Sequence, residues 1–239
     1  MTAVRCAFAT ALAACICAAA PALAATGASI EPSFAPYRLG ASAAGTISLR
    51  FFGGADHVPA PLSTMTLRLP AGLGIDLNGV GVCQPSRLRS RGAAGCGTGS
   101  LIGRGHALLE VHAGSQTVPE DAAVSVFRGP TRGGRTTFEI FGRGETPLDE
   151  STVSTAVLQG DSAPYGLRLV VAVPPIPTLT YEPNASFSSL SLTIGNAGGG
   201  SHAKIVLPRS CPRAGFPFAA TFGFADRSST SAVARLRCP

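Results

Sequence analysis

The fold of this chain is decided by Thr46-Ile47-Ser48-Leu49-Arg50-Phe51, in which every second side chain is apolar. Successive side chains of a strand point to opposite faces, so this alternation predicts a strand with one buried and one solvated face. The pattern recurs in Thr64-Met65-Thr66-Leu67-Arg68-Leu69 and again between 105 and 237, while helical periodicity is nearly absent. We therefore predict an all-β fold, a two-sheet antiparallel β-sandwich of about 11–12 strands, Ig-like or jelly-roll-like.

The composition supports this fold class. Of 239 residues, 45% are hydrophobic and only 13% are charged, with 29 Gly and 19 Pro. Low charge argues against intrinsic disorder, and abundant Gly and Pro are typical of many short strands joined by tight turns. Trp is absent and Tyr numbers only 3, which argues against an aromatic platform for sugars or single-stranded nucleic acid.

The N-terminal segment predicts export. One Arg precedes a short apolar run that Pro21 interrupts, and Ala22-Leu23-Ala24 forms a small-x-small cleavage site. This is the pattern of a secretory signal peptide, so we predict that residues 1–24 are removed. A minor alternative is a lipoprotein, because Leu12-Ala13-Ala14-Cys15 resembles the site at which bacterial lipoproteins are cleaved and lipidated on cysteine.

The rest of the chain predicts one domain outside the membrane. No later apolar run reaches the roughly 20 residues of a spanning helix, so we expect no transmembrane segment and a secreted, extracellular or cell-surface location. Residues 25–239 are expected to form a single β-sandwich domain. The extended Pro174-Pro175-Ile176-Pro177 is either a linker or a rigid corner, and it sets a possible sub-boundary near 174–183.

Four cysteines remain after cleavage, namely Cys83, Cys96, Cys211 and Cys238. An even number in an exported chain predicts two disulfides, for which three connectivities exist. We favour the local pairs Cys83–Cys96 and Cys211–Cys238, since each brackets one loop or hairpin. A cysteine-based metal site is disfavoured, because no CxxC or HxxxH pair occurs.

Several motifs follow one another in a fixed order: Leu69-Pro70-Ala71-Gly72-Leu73, then Cys83, then Cys96, then Ser100-Leu101-Ile102-Gly103-Arg104-Gly105. This order resembles a module of secreted proteins from high-GC actinobacteria, in which an LPxGL strand end and a cysteine precede a C(P)xxSxIGxG strand start. Gly97 stands where that module usually has proline, a difference that affects only the turn. The resemblance implies export and a β-rich fold, and it implies no activity, cofactor or catalytic residue.

Arginines form the one candidate binding patch. Arg87, Arg89 and Arg91 lie between Cys83 and Cys96, in a segment without apolar periodicity, and Arg104 follows closely. With a formal net charge of +6, such a patch suits an anionic envelope polymer, although a merely solvated loop is the alternative. Another surface protein is a second possible partner. Nucleic acid is not expected, because few aromatic residues interleave with these arginines.

No catalytic constellation can be assembled from the sequence. His106, Glu110 and His112 share one face of a predicted strand, but His106 and His112 lie about 20 Å apart, too far for one ion. The doublets Glu120-Asp121 and Asp149-Glu150 are expected in loops and at strand edges. We therefore predict no cofactor and no metal, and a non-enzymatic cell-envelope or extracellular module that is structural or binds a partner. An enzyme acting on an envelope polymer and a carbohydrate-binding module are the alternatives.

Overall fold

The computed structural model describes residues 27–53, 58–195 and 204–239. Within these ranges the chain forms thirteen strands and one short α-helix. In chain order the elements are β1 (Gly27–Ala35), β2 (Ser42–Phe52), β3 (Leu62–Pro70), β4 (Gly74–Asp76), α1 (Pro85–Arg91), β5 (Leu101–Ala113), β6 (Gln116–Arg128), β7 (Thr137–Arg143), β8 (Ser151–Gly160), β9 (Tyr165–Ala172), β10 (Ser186–Ile194), β11 (Lys204–Val206), β12 (Phe216–Phe224) and β13 (Ser229–Leu236). The signal-peptide and Cys15 predictions lie outside the described residues.

The all-β part of the prediction is confirmed. Each alternating segment of the sequence forms a strand, and β1 and β4 are found in addition. β1 contains Pro32 and ends before Pro36, which made it a poor strand candidate from sequence. β4 has only three residues, too few to show an alternating pattern.

The strands pair antiparallel along a single hydrogen-bonded path. Its order is β13-β12-β3-β9-β8-β7-β6-β5-β10-β2-β11-β4, and β1 pairs with β2 beside this path. The path joins the described strands into one sheet, so the predicted division into two stacked sheets stays a prediction. Alternation along a strand predicts its two faces but not its neighbours, and for this reason the pairing order could not be foreseen.

Strands that are distant on this path meet across the core. The ring of Phe51 on β2 lies edge-on to that of Phe222 on β12, with centroids 4.9 Å apart, the T-shaped arrangement that aromatic pairs favour. Phe34 of β1 faces Phe218 of β12 at 6.2 Å, and the Tyr37 hydroxyl donates to the carbonyl of Arg237. The sheet therefore curves until one of its faces packs against itself. We call this face the inner face.

A smaller cluster lies on the opposite, outer face. There α1 covers the strands β5 to β8, and the buried residues beneath it are Cys83, Leu88, Cys96, Leu101, Phe127 and Phe141. The segment between Cys83 and Cys96 is therefore not the loop without burial that the sequence suggested. Pro85 suits the first turn of a helix because that position needs no amide donor, and Leu88, only 1% exposed, anchors the helix.

The proline-rich segment joins β9 to β10. Ile176 is buried among inner-face residues of β5 and β6, and its carbonyl accepts a hydrogen bond of 2.9 Å from the amide of Ala185. This packing attaches the segment to the sheet, while the single-domain assignment itself stays a prediction. No helix of the described ranges has the length and apolar character to cross a membrane.

Candidate functional site

Both favoured disulfides are present. The Cα atoms of Cys83 and Cys96 lie 5.5 Å apart, and those of Cys211 and Cys238 lie 5.9 Å apart. Both separations fall in the range of about 4.4–6.8 Å that a disulfide requires. The first bond closes the segment that carries α1, and the second joins the two ends of the β12–β13 hairpin.

The short helix α1 presents the predicted arginines to solvent. Arg87 and Arg91 are four residues apart and therefore neighbours on the helix, and both are exposed at the edge of the face that buries Leu88. Arg89 projects from another side of the helix. Among the described residues, none of the three has a carboxylate within 4 Å.

Arg104 extends this basic area along the sheet. It is exposed on the outer face of β5, opposite Ser125 of β6, and Ser125 in turn pairs with Phe141 of β7. Gly92, just after α1, sits directly above Phe141. The backbone of Arg104 is two strands away from that of Phe141, or roughly 10 Å at about 4.8 Å per strand spacing. We call Arg87, Arg89, Arg91 and Arg104 the arginine surface.

A buried carboxylate that sequence reasoning missed lies beneath the arginine surface. Glu139 of β7 is 0% exposed; its Oε2 accepts a 2.7 Å hydrogen bond from the Thr155 hydroxyl, and its Oε1 lies 3.8 Å from Nη2 of Arg132. Burial raises the pKa of Glu139, and Thr155, Arg132 and Arg89 offset part of that rise. The positive charge of Arg89 therefore helps to stabilise the ionised form of Glu139. Arg87 and Arg91 are exposed to solvent.

A second buried carboxylate corrects the prediction for Glu120. It was expected in a loop or at a strand edge, but it lies within β6 on the inner face and is only 2% exposed. Among the described residues neither of its oxygens has a hydrogen-bond partner of normal geometry. Burial raises its pKa, and the nearby backbone amide of Leu148 offsets part of the rise. The Glu-Asp doublet looked polar because the exposed Asp121 follows it.

The polar residues of the histidine-containing strand make separate contacts in the structure. His106, Glu110 and His112 share the outer face of β5 as predicted, and no group of three His, Cys, Asp or Glu within the described ranges could hold a metal ion. His106 Nδ1 instead lies 3.2 Å from Oδ1 of Asp121, and Glu110 Oε1 accepts a hydrogen bond of 3.2 Å from Ser188. This arrangement matches the solvated face of an amphipathic strand.

Comparisons with known proteins do not identify the chain. No family model, no curated protein and no solved structure matches it. The function must therefore be argued from the residues themselves.

Proposed function

We propose that this chain is an exported, non-enzymatic binding module of the cell envelope or extracellular space, and that its arginine surface contacts an anionic envelope polymer. The observation that carries the proposal is α1, a helix tied down by Cys83–Cys96 that holds Arg87 and Arg91 in solvent. A cationic surface on a rigid element attracts anionic polymers at long range. Another surface protein with an acidic face would be attracted to the same arginines.

Export is supported by the two disulfides. Such bonds persist in oxidising compartments and are rare in the cytosol. The signal peptide over residues 1–24 accounts for the route, and the resemblance to a secreted actinobacterial module agrees with it. Mass analysis of the secreted chain should give Ala25 as the first residue, whereas a lipid-modified Cys15 would place the protein at the membrane surface.

The sandwich architecture belongs to the same proposal. The contacts of Phe51 with Phe222 and of Phe34 with Phe218 support two packed layers formed by one curved sheet. The attachment of Ile176 to the β5–β6 region supports a corner rather than a linker at residues 174–183. Both features suit a rigid single domain that presents α1 on its outer face.

The binding test uses sulfated dextran as a defined anionic polymer. Changing Arg87→Gln together with Arg91→Gln should lower the salt concentration at which the protein elutes from an immobilised polymer. The physical reason is the loss of two exposed positive charges that form no ion pair among the described residues, and salt weakens the attraction that these charges exert. Uncharged dextran should retain neither protein.

A matched control removes the same charge elsewhere. Arg209→Gln with Arg213→Gln alters two exposed arginines of the β11–β12 connection and leaves α1 intact. If this control elutes as early as the α1 variant, retention reflects net charge alone and the arginine surface is not a site. Retention of the α1 variant equal to wild type would also contradict the proposal.

A further inference from the structure

Two cavities lie side by side in the core between the packed parts of the inner face. One, of about 80 Å³, is bounded at one end by Glu120, and we call it the Glu120 cavity. The other, of about 120 Å³, has only apolar walls, and we call it the apolar cavity. An apolar cavity of about 150 Å³ can bind benzene, so each of these spaces is on the scale of a few carbon atoms.

The two cavities share part of their walls, and one of the shared side chains, Met65, is flexible. Four residues line both of them, namely Met65, Val124, Ile140 and Leu190. Methionine is unbranched and adapts its rotamers to irregular space more readily than the other three. A shift of the Met65 side chain would join the two spaces.

The shape of the joined space follows β6. Glu120 lines the first cavity, Val124 lines both and Val126 lines the second. From Glu120 to Val126 is six residues, or about 20 Å along a strand. The joined space therefore extends along β6, which suits a linear chain better than a compact ring system.

The polar end has a defined electrostatic character. Glu120 and Glu150 both line the first cavity, and the one cation beside them, Arg143, donates a 2.9 Å hydrogen bond to Asp149. Neither oxygen of Glu120 has a donor of normal hydrogen-bond geometry among the described residues, and the backbone amide of Leu148 is the one donor close to it. An anionic head group would meet two carboxylates, whereas a head group that donates hydrogen bonds would satisfy Glu120.

We propose that the joined cavities bind a single linear hydrocarbon chain whose head group, an ammonium or a hydroxyl, donates hydrogen bonds to Glu120. The site lies on the inner face and does not depend on the arginine surface, so the two proposals can fail separately. The walls exclude water around the chain, and the carboxyl selects the head. A fatty carboxylate of the same length is the discriminating non-ligand.

Met65 provides a direct reporter of occupancy. The chain has 2 methionines, Met1 and Met65, and only Met65 remains in the predicted mature protein. Its methyl group therefore gives one resonance in protein labelled at methionine methyl groups. Titration of the oxidised full domain with octylamine or octan-1-ol, below micelle formation, should shift that resonance to saturation.

The head-group test compares three probes of equal chain length. Octanoate should bind at least tenfold more weakly than octylamine or octan-1-ol, the factor expected when one buried hydrogen bond is lost. Glu120→Leu should lower the affinity for octan-1-ol by about tenfold. Glu110→Gln, which changes a carboxylate on the outer face, should leave that affinity unchanged. Far-UV circular dichroism and the Met65 resonance of the free variants establish that they are folded.

The outcomes that overturn the proposal are distinct. Absence of a shift at Met65 with every probe would show that the cavities stay closed. Equal affinity for octanoate and octylamine, or no effect of Glu120→Leu, would remove Glu120 from head-group selection. If Glu120→Leu fails to fold, Glu120→Gln replaces it, and the amine should then lose affinity more than the alcohol does.

Discussion

Glu120 and Glu139 are both buried carboxyl groups on neighbouring strands, but they lie on opposite faces of the sheet and in opposite circumstances. Glu139 on the outer face has the Thr155 hydroxyl and the charge of Arg132 beside it. Glu120 on the inner face borders a cavity and has no partner of normal hydrogen-bond geometry among the described residues. Burial of an ionised group is costly unless it is paired. The first site is therefore partly compensated, with Oε1 of Glu139 near Arg132 but without a hydrogen bond, and the second is open to a ligand.

A glycine stands against each carboxyl group. A Cβ atom at Gly129 would lie 2.9 Å from Oε1 of Glu139, and one at Gly144 would collide with Oε1 of Glu120. Both carboxyl groups are therefore held close to the backbone. The sites differ in hydrogen bonding and in that only Glu120 lines a cavity.

The largest expected effect comes from the covalent bond that holds α1 over the compensated site. Replacing both Cys83 and Cys96 by Ser should lower the free energy of unfolding by about 3 kcal/mol, since the bond closes a segment with a sequence separation of 13. Denaturant titration measures this loss. The pH dependence of stability due to Glu139 should weaken as α1 loosens, while the pH dependence due to Glu120 should persist. Equal weakening of both would contradict the claim that α1 shields only the Glu139 site.

A smaller effect is expected from the Thr155 hydroxyl. Thr155→Val leaves Oε2 of Glu139 buried without its donor, and this should cost about 2 kcal/mol of stability. Thr152→Val is the matched control, because Thr152 lines the Glu120 cavity without bonding Glu120, and it should change stability by under about 0.5 kcal/mol. Urea midpoints of the two variants give the comparison, which fails if both lose the same amount.

The smallest effect concerns the charge of Glu120. Its pKa is raised in the folded state, so the unfolded chain releases that proton first, and stability falls as pH rises from about 4.5 to the raised pKa. Glu120→Gln removes this dependence. Relative to wild type, the variant should gain stability on going from pH 4.5 to pH 8, because ionisation of the buried Glu120 destabilises only the wild-type folded state. Thermal unfolding at several pH values measures the gain, and a constant difference between the proteins would refute it.

Much of the strand content could be predicted from sequence, and its arrangement could not. The alternation in β2 and β3 marks one buried face whatever the neighbour, so both strands were predicted correctly. The neighbours of β3 are β9 and β12, which lie far along the chain, and no local pattern encodes such pairing. Likewise α1 buries only Pro85 and Leu88, and two residues are too few to give a recognisable helical periodicity.

The candidate sites divide in the same way. The cysteine pairs were predictable because each brackets a short segment, and the arginines because they cluster within one of these segments. The burial of Glu120 and Glu139 depends on which strands lie on either side of β6 and β7, and this is set by the pairing order. The sequence did contain a signal for Glu139. It is the one charged residue in the run Thr137-Phe138-Glu139-Ile140-Phe141, and all four of its neighbours in that run are buried or half-buried. Nothing comparable marks Glu120.

The Cys211–Cys238 bond has a mechanical consequence. It joins residues with a sequence separation of 27 that flank the whole β12–β13 hairpin. A force applied to Pro239 therefore passes through the sulfur atoms to Cys211 and bypasses the hairpin, whose strands carry no load until the bond is reduced. Tension on the end of the chain would reach β11 and the sheet first, leaving β13 in place against β12.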